Sequence, residues 1–326
     1  MPAAPAVLLA REAMNTRFEL ALHGGDPVRL RAAGEEALDE IERIEARLSL
    51  FRTTSEIAHV NALAARQPVR VSPPTFALLQ QARQVHAATG GAFDPTLAPL
   101  LHCWGLLGRT EGRVPSDAEL TAARACIGLD LVELDEREFT VRFTRDGVML
   151  DLGAIGKGHA VDEAVALLRE ARVTSALLHA GTSSVFALGA PPDADAWRIA
   201  LEGPPTVDGR PRETVATVGL HDESLGISAV WGKCFTADRQ TYGHVLDPRT
   251  GRPVHRAMMA AVILPNATET DALSTALLVL GAEGFPLLQR LRPAVRAVVA
   301  AADGGLAALG VGCATSPSGV SGPADS

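Results

Sequence analysis

Aromatic residues are scarce in this sequence and make up only 4% of its 326 residues. Leucine, valine and alanine must therefore form most of the core, and the apolar fraction of 47% is large enough for a sizeable one. Basic residues are outnumbered as well, since 30 lysines and arginines face 38 aspartates and glutamates. The resulting net charge of −8 argues against a general nucleic-acid surface and against a basic membrane-binding face.

Cysteine is also rare, and the four thiols are those of Cys103, Cys126, Cys234 and Cys313. They lie too far apart in the sequence for a metal knuckle or a CxxC redox pair, so we expect reduced, structural thiols. No apolar run reaches the roughly 18 residues of a membrane span. The N-terminal apolar run is interrupted by Arg11 and Glu12, which makes it a poor signal peptide. These features favour a cytoplasmic protein without a membrane span.

Helical and strand patterns are mixed along the chain without a regular alternation. Apolar residues at three- and four-residue steps predict a long helix after Asp26, and runs such as SALLHA, TVATVGL and MAAVILP predict short strands. This mixture favours an α+β fold over a doubly wound sheet. We predict one compact unit over residues 1–312, with room for two lobes, followed by a disordered tail over residues 313–326 that is rich in Ser, Pro and Gly.

The segment DLGAIGKGHAVDEA, which begins at Asp151, is the first candidate for chemistry. The pattern predicts a buried strand, GVMLDLG, and then three glycines around Lys157 at the start of a helix. Neither a P-loop nor a GxGxxG spacing is present. Glycines that allow close approach, a helix N-terminus and a lysine nevertheless suit an anion. The alternative is a tight strand-to-helix turn with a surface lysine.

The segment TETDALSTALLVLG predicts an amphipathic helix on which Asp271 and Thr275 share one side. A carboxylate and a hydroxyl are hard oxygen ligands of the kind that Mg²⁺ prefers. The alternative is an acidic residue near a helix N-terminus and an ordinary helix threonine.

Two further segments each carry one titratable candidate. His244 in YGHVLDPRTGRPV can move a proton near neutral pH, although the segment is also a well-formed turn. Asp94 in TGGAFDPTLAPLLHCWG follows paired glycines, and its alternative role is that of a helix cap.

These segments occur in a fixed order, together with Met14-Asn15-Thr16 and LSLFRTTSEIAHVN. In this order they resemble the ApbE family, the FAD:protein FMN transferases, over roughly residues 6 to 310. The resemblance implies an ApbE-like, T-fold-like arrangement of mixed sheets packed with helices. It also implies that the pyrophosphate of FAD is cleaved, that FMN passes to a Thr or Ser of a target flavoprotein through a phosphoester, and that AMP leaves. The resemblance further implies that a divalent cation is needed, usually Mg²⁺, with Mn²⁺ as the alternative.

The resemblance assigns roles to particular residues of this sequence. The cation ligands would be the Asp271 carboxylate, the Thr275 hydroxyl and the Ala154 backbone carbonyl. Contacts to FAD would come from Met14, Phe51, Ala92, Phe93, Asp94, Asp151, Ala154, Lys157, His244 and Val245. His244 or Asp271 would be the catalytic base.

Three departures from the family pattern leave alternatives open, and one of them is the segment GISAVWGKCF, which is longer and more apolar than the family's Ser-Gly run. Thr182, Ser183 and Ser184 stand where the family has a GGD-like turn, and Phe51 lacks the hydroxyl of the tyrosine that the family often has beside the flavin. A Mg²⁺-dependent pyrophosphatase that splits FAD into FMN and AMP is one alternative. A flavin-binding protein without turnover is the other.

Overall fold

The computed structural model describes residues 6–108, 111–203, 214–232, 234–237 and 240–311. Its strands are β1 (Val7–Ala13), β2 (Thr16–His23), β3 (Val69–Arg70), β4 (Val132–Asp135), β5 (Thr140–Phe143), β6 (Ser175–Ala180), β7 (Ser184–Leu188), β8 (Trp197–Glu202), β9 (Thr214–Leu220), β10 (Glu223–Ala229), β11 (Cys234–Ala237), β12 (Gln240–Gly243), β13 (Leu246–Asp247), β14 (Arg252–Pro253), β15 (Ala257–Leu264), β16 (Arg296–Ala301) and β17 (Leu306–Leu309). Its α-helices are α1 (Pro27–Leu48), α2 (Glu56–Leu63), α3 (Pro73–Ala88), α4 (Ala98–Cys103), α5 (Asp117–Arg124), α6 (Gly156–Glu170), α7 (Ala267–Leu280) and α8 (Phe285–Leu291). The proposed tail over residues 313–326, which includes Cys313, lies outside the described residues.

An antiparallel sheet of eight strands forms the centre of the fold, in the order β1-β2-β6-β7-β10-β15-β16-β17. Every neighbouring pair in this sheet is antiparallel. Strand β10 lies near the middle and pairs with β7 on one side and β15 on the other. Helices and antiparallel sheets pack as a single compact unit, which confirms the predicted α+β class.

Helices α1, α6 and α7 cover one face of this sheet and enclose the main core. The predicted long helix is α1, and all six apolar positions of its predicted stripe are buried: Leu30, Ala33, Ala37, Ile41, Ile44 and Leu48. The Asp26 side chain caps its first turn, and Pro27 fits there because the first helical residue needs no amide donor. The β8–β9 hairpin covers part of the opposite face and closes a second apolar cluster.

The predicted strand GVMLDLG is wrong, because this segment joins no sheet. Buried and partly buried residues alternate between its two glycines, but its backbone bonds to a side chain and to a loop instead of a neighbouring strand. The Asn61 side chain donates to the Leu150 carbonyl at 2.9 Å and accepts from the Leu150 amide at 2.7 Å. The Asp151 amide donates to the Pro95 carbonyl at 2.7 Å.

The expectation of an amphipathic α7 is also wrong, because eleven of its residues are buried and they lie all round the helix. Its neighbours are β10, β15 and α6, which enclose it on several sides. The continuous helical stretch Ala267–Leu291 is apolar and long enough to cross a membrane by length and composition, and 61% of its most apolar window is buried inside the protein. Helix α7 is therefore the central core helix of this fold.

Candidate functional site

The junction of α6 and α7 positions the principal candidate residues. Gly158 in the first turn of α6 lies directly against α7: a Cβ at this position would be 2.2 Å from the Ala267 carbonyl oxygen and 2.8 Å from Asp271 Cβ. Only glycine permits this distance without a shift of the backbone. The two helices are therefore close enough for α6 to contact the side chain of Asp271.

Asp271 is a carboxylate that is only 3% exposed. Its Oδ2 accepts a hydrogen bond from the Gly158 amide at 3.0 Å, and its Oδ1 lies 3.8 Å from Lys157 Nζ. Lys157 Nζ also donates to the Gly153 carbonyl at 3.0 Å. A buried charge needs such partners, and here both come from the start of α6, where the helix dipole adds positive potential.

Thr275 lies one turn further along α7, where its Oγ1 is 3.3 Å from the Asp271 carbonyl oxygen and 3.0 Å from Ser228 Oγ. Ala154 lies in the turn before α6. The Gly158 amide, which would ordinarily bond to the Ala154 carbonyl four residues earlier, donates to Asp271 instead. Within the described residues, no hydrogen bond to the Ala154 carbonyl is formed.

The donor set at this junction fits a hard dication. It offers a carboxylate oxygen, a hydroxyl and a carbonyl oxygen without a hydrogen-bond donor, and Mg²⁺ takes oxygen ligands together with water and phosphate. No group of three or more His, Cys, Asp or Glu side chains suited to a metal occurs in the described part of the chain. A site built mainly from carboxylate clusters or thiolates is therefore not present there.

Asp151 and Asp94 lie on adjoining backbone segments beside this junction. Asp151 Oδ1 accepts from the Gly153 amide at 2.8 Å and thereby shapes the glycine turn. Asp94 Oδ1 accepts from the Thr96 amide at 2.8 Å, so Asp94 forms a local turn and is not the cap of α4, whose N-cap is Leu97. Burial raises the pKa of the Asp94 carboxyl, and the Thr96 hydrogen bonds oppose that shift.

Asp94 also lines an open cavity of about 450 Å³ between α5 and the turn after β13. Two arginines, Arg124 and Arg249, stand on its wall, and the Arg124 side chain donates to the Arg249 carbonyl at 2.7 Å. Arg249 in turn holds Asp247 through two hydrogen bonds of 2.9 and 2.8 Å. Both arginines are therefore held by hydrogen bonds at the turn formed by Asp247 and Pro248.

The remaining predicted contact residues are spread around these segments. Met14 occupies the β1–β2 turn with a positive φ of 51° and packs partly against the main core. Phe51 is 59% exposed and stands beside Gly108. Ala92 and Phe93 have buried side chains, so only their backbone atoms would face a ligand.

His244 and Val245 follow β12. His244 is half-buried, and the Val245 carbonyl accepts from the Val254 amide at 2.9 Å. The preceding residue, Gly243, lies against Val230, since a Cβ there would be 2.9 Å from the Val230 carbonyl oxygen. Val230 directly follows β10, so His244 is near the end of the strand that carries Ser228.

Sequence reasoning missed three residues that shape this region, namely Ser228, Asn61 and Asp162. Asp162 accepts from the Ala267 and Thr268 amides and from the Thr268 hydroxyl, and so ties α6 to the first turn of α7. Burial raises the pKa of its carboxyl, and these hydrogen bonds oppose the shift. The signal for Ser228 was its spacing from Ser224, because residues four apart on a strand share a face.

The Thr182–Ser184 departure spans the end of the β6–β7 turn and the first residue of β7. Gly181 has a φ of 59° and contacts Thr16, because a Cβ on this glycine would meet the Thr16 hydroxyl. Ser184 begins β7 and is fully buried, and its hydroxyl has no hydrogen-bond partner among the residues that the structure describes. The turn therefore packs against the β1–β2 turn that carries Met14.

In a comparison with known families, residues 14–299 match the ApbE family. Among relatives, an FAD:protein FMN transferase from Treponema pallidum is 32% identical over 283 residues, which cover 82% of this chain and 77% of that protein. An FAD:protein FMN transferase from Vibrio cholerae is 29% identical over 269 residues, which cover 81% of this chain and 78% of that protein.

Solved structures give the same result. The ApbE protein from Thermotoga maritima superimposes with a TM-score of 0.84 at 27% identity and covers 93% of this chain and 96% of its own. The flavinyl transferase ApbE from Pseudomonas stutzeri, in its apo form, superimposes with a TM-score of 0.80 at 29% identity and covers 94% of each chain.

Proposed function

The chain belongs to the ApbE family, and from this premise we propose that it is an FAD:protein FMN transferase whose reaction centre is the α6–α7 junction. The observation that carries the proposal is the hydrogen bond from the Gly158 amide to the Asp271 carboxylate. It links segments 113 residues apart, and among the described residues it leaves the Ala154 carbonyl without the amide donor it would ordinarily have in a helix.

The reaction transfers FMN from FAD to a Thr or Ser hydroxyl of a target flavoprotein. The hydroxyl oxygen attacks the phosphorus on the FMN side of the pyrophosphate and forms a new P–O bond. The bond from that phosphorus to the bridging oxygen breaks, AMP leaves with the bridging oxygen and its electron pair, and the hydroxyl proton passes to a base. Such a reaction requires neutralised phosphate charge and an attacking oxygen held in line.

The residues that would hold Mg²⁺, or Mn²⁺ in its place, are Asp271, Thr275 and Ala154. When bound there, the dication would offset the negative charge of the pyrophosphate. Lys157 adds a second positive charge at the same place, and the N-terminal end of the α6 dipole adds further positive potential there. Asp151 keeps that turn in shape through its hydrogen bond to the Gly153 amide.

We assign the proton acceptor to His244. Asp271 has one oxygen bonded to the Gly158 amide and the other facing Lys157, and these contacts favour a role in holding positive charge over a role as base. His244 lies near the end of β10, and an imidazole is the side chain most often used as a general base. Met14, Phe51, the backbone of Ala92 and Phe93, Asp94 and Val245 would complete the contacts to FAD.

The test is an incubation of the protein with FAD, Mg²⁺ and a flavoprotein that carries an acceptor threonine. Covalent flavin fluorescence on the acceptor and one AMP per FMN transferred are expected, with the modified residue identified by mass spectrometry. Free FMN and AMP without labelling would contradict transfer and indicate a pyrophosphatase. FAD that stays intact in the presence of Mg²⁺ and acceptor would indicate a binding protein.

Asp271→Asn gives the sharpest variant for this test. The amide oxygen can still accept from Gly158, so the variant removes the charge without leaving a buried amide unpaired. Transfer is expected to fall by about 100-fold or more. The matched control is Glu283→Gln, which removes a carboxylate of the same helical stretch that is 85% exposed, and it is expected to retain activity.

A further inference from the structure

A row of hydroxyl groups lies between β10 and α7. On the strand these are Ser224 and Ser228, and on the helix they include Thr270, Ser274 and Thr275. Ser224 Oγ pairs with Thr270 Oγ1 at 3.0 Å and donates to the Val185 carbonyl at 3.1 Å. Ser228 Oγ lies 2.9 Å from Ser274 Oγ and 3.0 Å from Thr275 Oγ1. Ser228 is therefore the strand residue in direct contact with a proposed cation ligand.

The direction of these hydrogen bonds follows from the number of acceptors available. The Asp271 carbonyl is the helical acceptor for the Thr275 amide, and it also accepts from Ser274 Oγ at 3.0 Å. A carbonyl oxygen has two lone pairs, so these two donors satisfy it. The Thr275 hydroxyl is a third and more distant candidate at 3.3 Å. The Thr275 hydroxyl proton has a nearer acceptor in Ser228 Oγ, at 3.0 Å.

Each hydroxyl in the row can then donate once. Thr275 donates to Ser228, Ser228 donates to Ser274, and Ser274 donates to the Asp271 carbonyl. With its proton directed towards the strand, Thr275 Oγ1 has its lone pairs free for a cation. Thr275 and Ser228 are both half-buried, so this end of the row is open to solvent, whereas Ser224 and Ser274 are fully buried.

We infer that Ser228 is a positioning residue that accepts the Thr275 hydroxyl proton and thereby directs a lone pair of Thr275 towards the cation site. The inference rests on the proposed function, because that proposal makes Thr275 a ligand. It adds a residue on β10 to a site otherwise built from α7 and the start of α6. The same contact fixes the distance between the strand and the metal-binding side of the helix.

The test measures Mn²⁺ binding by electron paramagnetic resonance of the free ion, with and without FAD, on the full chain. Ser228→Ala removes the acceptor and is expected to weaken Mn²⁺ binding about 10-fold, as expected when a group that orients a metal ligand is lost. Ser228→Thr keeps the hydroxyl and is expected to restore binding close to that of the wild type.

The matched control is Ser224→Ala, which removes a hydroxyl from the same strand and the same row but leaves Thr275 untouched. It is expected to lower the thermal midpoint because Thr270 loses one of its two hydrogen-bond partners and keeps only the Ala267 carbonyl, with Mn²⁺ affinity unchanged. Equal Mn²⁺ affinity in Ser228→Ala and the wild type would overturn the inference, and so would an equal loss in Ser224→Ala. If the wild type itself bound no Mn²⁺, the cation site under the proposed function would fall as well.

Discussion

Gly158→Ala tests whether the close packing of α6 on α7 builds the site. The added Cβ would lie 2.2 Å from the Ala267 carbonyl oxygen and 2.8 Å from Asp271 Cβ. An ordinary contact needs about 3.5 Å, so the helices must separate by roughly 1 Å. The obstacle on the α7 side is backbone, which cannot rotate away as a flexible side chain would. The hydrogen bond from the Gly158 amide to Asp271 would lengthen with this separation.

The expected cost has two parts. Overpacking of a tight interface destabilises by about 1–3 kcal/mol, so we expect the free energy of unfolding in urea to fall within that range. Misplacement of a reacting group by about 1 Å can reduce a rate 100-fold. We therefore expect FMN transfer to an acceptor flavoprotein to fall by about 100-fold at saturating FAD, in protein that remains folded.

Gly156→Ala is the control, because Gly156 lies two residues earlier in the same helix. The nearest atom to a Cβ there is Leu48 Cδ1 at 3.8 Å, which is an ordinary contact. Alanine is a better helix former than glycine by up to about 1 kcal/mol, so this variant should be as stable as the wild type or more stable. Wild-type transfer by Gly158→Ala, or an equal loss in both variants, would refute the argument.

Three further predictions address neighbouring residues. Lys157→Ala removes a charge 3.8 Å from Asp271 and should weaken FAD binding about 10-fold, with a smaller loss of turnover than Asp271→Asn. An FAD affinity equal to that of the wild type in a fluorescence titration would contradict a role for Lys157 in FAD binding. Asn61→Ala leaves the Leu150 amide and carbonyl without their partner and should lower the free energy of unfolding by about 2 kcal/mol, whereas a variant as stable as the wild type in urea would exclude that role. Burial raises the pKa of the Asp94 carboxyl in the folded state above its ordinary value of 3.8, so folding favours the protonated form. The stability of the protein should therefore fall as the pH rises from 3.8 through the raised pKa of the folded state. Thermal midpoints measured against pH should show a smaller fall for Asp94→Asn than for the wild type.

Local sequence patterns predicted most individual elements. The six apolar positions of α1 form its buried stripe. Two caps are equally local: Ser116 and Glu119 form a capping box at the start of α5, and the Ser55 side chain accepts from the Ala58 amide at the start of α2. In each case the signal and the interaction that it reports lie within one helix, so short-range spacing is sufficient.

Long-range contacts could not be predicted in this way. An apolar extended run has the same pattern whether it pairs with a strand or with a side chain, and for GVMLDLG the partner, Asn61, is 89 residues from Leu150. The burial of α7 could not be predicted either, because the hydroxyl groups that gave the helix an amphipathic pattern form hydrogen bonds to β10 instead of facing water.

Placement of the candidate site depended on a different kind of information. Spacing put Asp271 and Thr275 on one side of a helix, and the structure places them so. Periodicity does not say which two helices meet, so the contact of Gly158 with Asp271 was beyond it. The resemblance to a family grouped these residues, and the geometry then supplied Ser228, which no motif had indicated.

The hydrogen bond between Gly158 and Asp271 has a consequence for biosynthesis. The ribosome makes the first partner more than a hundred residues before the second. During synthesis the Gly158 amide therefore has no Asp271 carboxylate to bond to until β15 and α7 have left the exit tunnel and packed against α6. A prematurely terminated chain that stops before residue 271 would lack Asp271 and most of α7, so the α6–α7 junction forms only in chains synthesised beyond this point.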